Sequence, residues 1–365
     1  MPDTRLLVEI DGDALADADL SRIQDVQVEE ASDEADALTL VAQLEAGQDG
    51  EWTSILDPLT TPRTPVAVQV SRGDVLYRFE GFSTEASWEI DAEGSSLLTV
   101  KALDRTLELD AEEKVVAWPG SSDSDIAQSI FGSYGLSAQV DDTPDGPDPD
   151  VHVVLQRATD WAFLRALAAK WGYAVYLESD GRRFTGHFHA LDPLAEPQGE
   201  LSAGFGGDAR KLQVTARLVA GQRVKGARIP ALSDSAQDGD ASGDDQAQGP
   251  RSLGGQATIL LAPTDVDGEV DPLAAATGLA RESAFALRLT AEIDTAVVGL
   301  MLRARRTVLV KGLGSSLSGR YLVERVRHRV STQRHAQELT LVRNALGLRG
   351  DEPFGGVGGL LGGLL

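Results

Sequence analysis

His187 and His189 stand two residues apart, so on a strand both imidazoles leave by the same face, a spacing that suits two ligands of one metal ion. A metal site needs a third ligand, and the sequence holds no cysteine and names no other candidate at ligand spacing. The expectation is therefore two exposed strand histidines and no metal. Asp265-Val266-Asp267-Gly268 opens like a calcium loop, but the twelfth position is Ala276 where a bidentate glutamate belongs, which leaves an acidic turn. With 57 Asp and Glu in the chain, a carboxylate pair by itself carries no information. Glycosidase chemistry needs two carboxyls fixed across a cleft with one pKa raised, and no pair stands in an apolar frame that suggests it. No Ser-His-Asp context, phosphate loop or nucleotide fingerprint is present. Trp161 and Trp171 fall on one helical face and read as core packing rather than a stacking platform for a ligand. Asp160 reads as a first-turn acid that complements the helix dipole. The residues thus predict no catalytic group, no metal and no cofactor.

The elements that carry these residues follow from periodicity. Leu6, Val8 and Ile10 alternate with polar positions, as do Val26 and Val28, then Leu38, Leu40 and Ala42, then Val66, Val68 and Val70, then Leu98, Val100 and Ala102. Period-two alternation between turn residues such as Asp11-Gly12-Asp13 and Arg72-Gly73-Asp74 predicts an antiparallel sheet or small barrel. Near residue 120 the period changes. Ser122 and Asp125 form a capping box, Ile126, Ile130, Phe131 and Tyr134 recur at helical spacing, and Gly135 ends the run. The polar stretch 141–150 is a loop. Thr159 caps a second helix whose face is Trp161, Leu164, Leu167, Ala168 and Trp171, closed by Gly172. A hairpin follows, with Ser179-Asp180-Gly181 between 173–177 and 184–188. Strands return at 211–218 and 223–229. Residues 231–255 have almost no apolar side chain and read as an exposed flexible excursion. A helix is predicted over 273–286 after Pro272, then strands at 306–310, 321–330 and 337–343.

The chain of 365 residues is too long for one core, and its formal charge is −24. Direct nucleic-acid recognition and a bare anionic membrane are disfavoured by that charge. No apolar run approaches the roughly 20 residues of a membrane span, and residues 1–13 carry no signal-peptide pattern, so the expectation is a cytoplasmic product without a membrane anchor. Charge is uneven: residues 287–349 hold twelve Lys/Arg against four Asp/Glu, leaving about −32 elsewhere. Such a split suits copies or neighbours that meet through opposite faces.

Three stretches carry a resemblance to a known family. They are 97–110 with its Asp104-Arg105 turn, 154–187 with Gln156, Asp160-Trp161 and Gly172-Tyr173, and 317–346 with Ser318-Gly319-Arg320-Tyr321, Val326, His328 and Arg343-Asn344. Together, in that order over about 5–346, they resemble the phage late control D proteins, the tail hubs of contractile phages. The same module forms the hub part of type VI secretion spike proteins and the hub of extracellular contractile injection systems. The resemblance implies a mainly β protein with an α+β insert: a tube-like antiparallel β-barrel at 1–114, the insert at 115–197 and a second tube-like barrel at 198–346 holding the loop 231–255; beyond it the residues themselves mark a Gly/Leu tail at 347–365. It implies a homotrimer whose duplicated barrels join a sixfold inner tube to a threefold spike on a separate chain, among other baseplate components. The product would start in the cytoplasm and end in a phage tail or tail-like particle. Phe354, Val357, Leu360, Leu361, Leu364 and Leu365 of the tail are the predicted partner-binding residues, meeting the spike or an adjacent hub subunit. Two alternatives stand beside this: a cell-wall-degrading hub enzyme, which needs a glutamate acid in an apolar pocket, and a free-standing β-type carbohydrate-binding or adhesion module, which needs an aromatic platform that 5% aromatic content does not favour.

Overall fold

Alternating sequence folds as strands here because each strand has one face to bury. In the computed structural model, Val26 and Val28, Leu38 and Leu40, Val66, Val68 and Val70, and Leu98 and Val100 all point into one apolar cluster. The structure describes residues 4–352 except 33, 73–74, 92–94, 204–212, 220–222, 229–236, 239–245, 254, 256, 261–271 and 332–333. The protein is mainly β with several antiparallel sheets. The largest sheet runs in the order Gln213–Leu218, Leu287–Asp294, His335–Arg343, Gly319–Val330, Ile23–Ala31, Ala37–Gln43, Leu97–Asp104, Val75–Glu89, Pro65–Arg72 and Arg5–Ile10, with Asp13–Ala14 returning at the last edge. Every pairing along that path is antiparallel.

Two closed barrels were expected. Among the described residues the strand order is open at both ends, and no pairing closes it. The two β regions share one sheet, because Ile23–Ala31 lies against Gly319–Val330 with Ala31 opposite Arg325 and Val26 opposite Val330. Each of these strands covers a row of backbone groups that the other would otherwise leave at an edge. The cores stay distinct: Leu287, Leu289, Val308, Tyr321, Val326 and Leu339 belong to a second cluster.

The insert folds as its local signals direct. Ser122 caps the helix Asp123–Ser133 in a reciprocal box with Asp125, and Gly135 follows at φ +68. Thr159 caps Asp160–Trp171, and Gly172 ends it at φ +64. Ala174–Ser179 pairs antiparallel with Phe184–His189, whose other side pairs in parallel with Ser137–Val140. The Ala-rich segment forms the helix Pro272–Ala284.

Two features depart from the sequence reading. Val75–Glu89 is a 15-residue strand that alternation does not reveal. Its buried face begins with Tyr77 and Phe79 but continues as Gly81 and Ser83, and a register shift follows between Ser83 and Glu85. The stretch 231–255 is also not an exposed excursion throughout. Gln248 is buried and exchanges hydrogen bonds with Asn344, its amide donating to Asn344 Oδ1 at 2.9 Å and its Oε1 accepting from the Asn344 amide at 3.0 Å. Polar residues pack here because a second polar residue satisfies them, which composition alone does not register.

Gly81 makes the close approach of its strand to Leu97–Asp104 possible, since a Cβ there would meet Leu103 O at 2.0 Å. Gly81→Ala is expected to lower stability by about 1–3 kcal/mol, as overpacking does. Urea unfolding of the purified variant checks this, and a midpoint equal to wild type would contradict it.

Candidate functional site

The histidine pair of the insert is not exposed. His187 is buried, its ring stacked on Tyr176 at 4.3 Å between centroids. His189 Nδ1 lies 2.9 Å from Ala190 O and donates there, so its Nε2 accepts from the Tyr176 hydroxyl at 3.2 Å. The shared face is used for packing, and among the described residues no group of three His, Asp or Glu could hold a metal ion. Trp161 is buried in the core of the insert and Trp171 packs against it, with its indole N–H donating to Asp123 at 2.7 Å. Asp160 does more than complement a dipole. It accepts from Lys114 Nζ at 2.5 Å, Tyr134 Oη at 2.7 Å and Gln156 Nε2 at 2.6 Å. Burial would raise its pKa, but these donors outweigh it and hold the carboxylate below its usual range. Asp265, Asp267, Gly268 and the six tail residues Phe354, Val357, Leu360, Leu361, Leu364 and Leu365 lie outside the described residues.

The most concentrated polar chemistry lies where the two β regions and the insert meet. Glu30 has no exposed surface. Its carboxylate accepts from Arg303 Nε at 2.8 Å and pairs with His328 Nε2 at 3.0 Å. Arg303 also donates to Glu178 of the insert at 3.0 Å and to Leu76 O at 3.2 Å. Arg305 donates to Ala31 O and to Asp36 Oδ1, both at 2.6 Å. The Asp36 amide donates to Asp104 Oδ2 at 3.2 Å, and Asp104 Oδ1 accepts from the Thr106 amide at 2.9 Å. His328 Nδ1 faces His335 Nε2 at 3.1 Å. Rings line the charges: Tyr77 stacks on His328 at 5.1 Å and lies under Arg303 at 4.6 Å, while Arg305 lies over Tyr176 at 4.1 Å.

Backbone register delivers these side chains. Glu30 continues the buried face of Val26 and Val28, Asp36 precedes that of Leu38 and Leu40, and Asp104 extends that of Leu98, Val100 and Ala102. Opposite them, His328 follows Val326, and His335 and Gln337 precede Leu339. Each strand therefore carries a polar residue in phase with its apolar face, and these residues converge.

Burial decides the protonation states, opposed by the partners. Desolvation would raise Glu30, yet Arg303 and His328 hold it at about 2. Asp36 is pushed up to about 7 by desolvation, against the pull of Arg305 and with the push of Asp104 and Glu30. Four carboxylates, Glu30, Asp36, Asp104 and Glu178, share the three guanidiniums of Arg303, Arg305 and Arg306, so a proton held at Asp36 leaves the cluster close to neutral. His187 is held down to about 4 and His335 to about 3, in both cases chiefly by desolvation. The cavity beside Asp36, Asp104, Glu178 and Arg303 has a volume of only about 10 Å³, about enough for one water and too small for a substrate. This cluster is a fastening between three units.

The same arginine-rich segment explains the uneven charge. Arg325 pairs with Glu29 and, at 2.9 Å, with Glu34; Arg327 pairs with Glu29 at 2.7 Å; Arg306 pairs with Glu178 at 3.2 Å. These basic residues meet the chain's own acidic strands and hairpin.

Motif residues prove to be local locks. Gln156 holds Asp160, as above. Arg343 is fully buried and donates to Ser318 O at 2.8 Å, and to Gln248 O and Gly347 O at 2.5 Å. Gly319 lets it in, since a Cβ there would stand 2.6 Å from the guanidinium. Of the junction, the sequence reading had singled out only Asp104, His187 and His328. Glu30, Asp36, Arg303 and Arg305 were missed; Glu30 and Asp36 carry a readable signal, a charged residue in phase with an apolar alternation, whereas Arg303 and Arg305 lie outside any strand and carry none.

A family model for the Alg8 N-terminal domain matches residues 67–227. That span starts inside Pro65–Arg72 and stops inside Val224–Arg228, follows no unit of the fold and is unrelated to it. No curated protein matches the chain in sequence. Solved structures do match in fold. The 43 kDa tail protein of prophage MuSo2 from Shewanella oneidensis has a TM-score of 0.63 at 12% identity, over 94% of this chain and 97% of that one. The tail protein from Neisseria meningitidis MC58 gives 0.62 at 13%, over 94% and 98%. The E. coli c3393 protein, a component of the type VI secretion system with structural similarity to the T4 bacteriophage tail proteins gp27 and gp5, gives 0.55 at 10%, over 92% and 76%. At these identities the likeness establishes a shared fold. Among the described residues no helix is long and apolar enough to cross a membrane.

The junction sets a pH response. For His187 and His335 the folded pKa lies below the ordinary 6.5, so their contribution is complete above about 6.5 and is lost as pH falls toward about 4 and about 3. Glu30 acts with the same sign lower down, between 4.5 and about 2. Asp36 acts oppositely: raised from 3.8 to about 7, its contribution is present below about 4 and lost as pH rises through about 7. The urea midpoint is expected to fall from pH 6.5 to 4, and His335→Leu should flatten that fall; an unaltered slope would contradict the assignment. Arg303→Met should cost about 3–5 kcal/mol by leaving Glu30 buried without its main partner, and adding Glu30→Leu should restore much of it. Chemical unfolding of the single and double variants reads both outcomes.

Proposed function

We propose that the chain is the structural hub of a contractile tail or contractile injection particle, a homotrimer that joins a sixfold inner tube to a separate threefold spike. The observation that carries the reading is co-extension: the fold it shares with two tail proteins, one of them from a prophage, covers 94% of this chain and 97–98% of theirs. The likeness to a type VI secretion component, itself similar to T4 tail proteins, supports the same reading. In this proposal the two β regions are the duplicated units of such an adaptor, so that three copies present six faces, and the two core clusters in one chain support it. In this proposal 1–114 and 198–346 are the tube-like units, 115–197 is the insert between them, and inner tube, spike and other baseplate components are the partners. The work is mechanical and is done by large interfaces.

Light scattering of the protein mixed with its cognate spike tests the reading. A three-to-three complex is expected, and a persistent monomer would contradict the hub. The charge economy of the junction adds a second expectation. Several arginines of 303–327 are engaged inside the chain, so the axial channel of the trimer should have a wall that is net acidic or neutral. A density map of the assembled particle reads this directly, and a wall dominated by arginine would count against it.

A further inference from the structure

The insert carries opposite charges at its two ends. Its helix Asp123–Ser133 is about 16 Å long at 1.5 Å per residue. The strands Ser137–Val140 and Phe184–His189 pack along it and run in parallel, Ser137 opposite Thr185 and Val140 opposite Phe188. Beyond Val140, at the end where the helix begins, stands the loop 141–150. Its Asp141, Asp142, Asp145, Asp148 and Asp150 are all exposed, and none is in an ion pair among the described residues. The loop is held in place. The Ser124 amide donates to Thr143 Oγ1 at 3.0 Å, the Thr143 amide donates to Ser124 Oγ at 3.2 Å, and the Ala190 amide donates to Asp141 Oδ2 at 3.1 Å. Gly146 lies so close to Ser121 that a Cβ would stand 2.3 Å from its carbonyl oxygen. The carboxylates thus sit on a fixed backbone, which lowers the ordering cost of binding them.

The other end, where the helix has stopped at Gly135, faces a groove of about 690 Å³ against the first β region. Phe82, Arg105, Glu108, Arg182, Arg183 and Phe184 line it. Arg105 is engaged, pairing with Glu108 at 2.6 Å and lying over the Phe184 ring at 5.1 Å. The groove's remaining acid, Glu80, is paired with Arg78. Arg182 and Arg183 are exposed at the hairpin tip, and neither guanidinium is in an ion pair among the described residues. The adjacent Asp180 uses Oδ1 to accept their two backbone amides, both at 2.8 Å.

We propose that this arginine-bearing groove receives the acidic loop 141–150 of a second copy of the chain, insert to insert and head to tail. The proposal rests on the homotrimer reading and names a surface that closes its ring. A contact between two different patches of identical chains continues from copy to copy until it closes. Because the patches stand at opposite ends of one unit, each copy offers them to two neighbours. Charge complementarity selects the occupant: in a chain of charge −24, two adjacent arginines without an acid meet five aspartates without a cation. The exposed Pro144 and Pro149 of the loop suit the half-buried rings of Phe82 and Phe184.

Charge reversal tests this in the full chain with its cognate spike. Arg182→Glu with Arg183→Glu, and separately Asp145→Lys with Asp150→Lys, should each weaken the trimer about tenfold or more in sedimentation. All four substitutions together should recover most of that loss, since the reversed ends match again. The substituted side chains are exposed, and urea midpoints equal to wild type show that the fold is intact. Raising salt should loosen the wild-type trimer. An equal mixture of the two double variants must leave one mismatched contact in a ring of three, whereas a twofold pair would match throughout. Full recovery in the mixture would therefore overturn the ring. A trimer of wild-type strength in both double variants would overturn the docking and leave the trimeric reading standing, and a wild-type chain that stays monomeric with the spike would overturn both.

Discussion

Glu30 has no exposed surface, and its two oxygens are shared between Arg303 and His328 at 2.8 and 3.0 Å. Much of the architecture depends on that sharing. A carboxylate withdrawn from water is tolerable only when its partners are in place, and those partners come from the far end of the chain. Meeting Glu30 fixes the register of Ile23–Ala31 against Gly319–Val330, because a slip of one residue would turn His328 to the opposite face of the sheet. Arg303 then reaches Glu178 and so fixes where the insert sits. The value of the network is specificity more than stability. Well-packed apolar side chains could match its energy, but they would not tell one register from another.

What was legible in the sequence was local. The box of Ser122 with Asp125, the cap at Thr159 and the stop at Gly172 each involve residues within a turn or two of each other, and each stands where the pattern put it. Apart from Val75–Glu89, the main strands of the first β region were legible from alternation, and so were the closing strands of the second. The junction was not, because its pairs are distant in sequence, as with Glu30 and His328 or Arg305 and Asp36. A polar residue in phase with apolar ones marks a buried site but does not name its partner. His187 illustrates the other limit: two histidines on one strand face look exposed until Tyr176 is found stacked on the first.

Composition registers charge but not its partner. An acidic bulk and a basic end suit neighbouring copies, and several of the arginines concerned are matched to acids within the chain. The same charges could serve either purpose, and only the strand order decides, by laying the basic strand directly beside the acidic one. Exposed pairs in this seam, such as Arg325 with Glu34, contribute little each. Their buried neighbours set the alignment that brings them together.

On the proposed reading, this arrangement suits a part that is pushed as one piece. Thrust would act across the boundary between two β regions and an insert, and apolar surfaces in contact can slide because the hydrophobic effect has no direction. A seam of backbone ladder bonds cannot slide without breaking them in register. A largely buried cluster in which Arg303 holds Glu30 and Glu178, and Arg305 holds Ala31 and Asp36, resists in a second way. Any displacement of a few ångströms would leave charges buried without partners, where the local dielectric makes that loss large. Stiffness at the junction thus comes from the directionality of its bonds and the burial of its charges, and neither requires a reactive group.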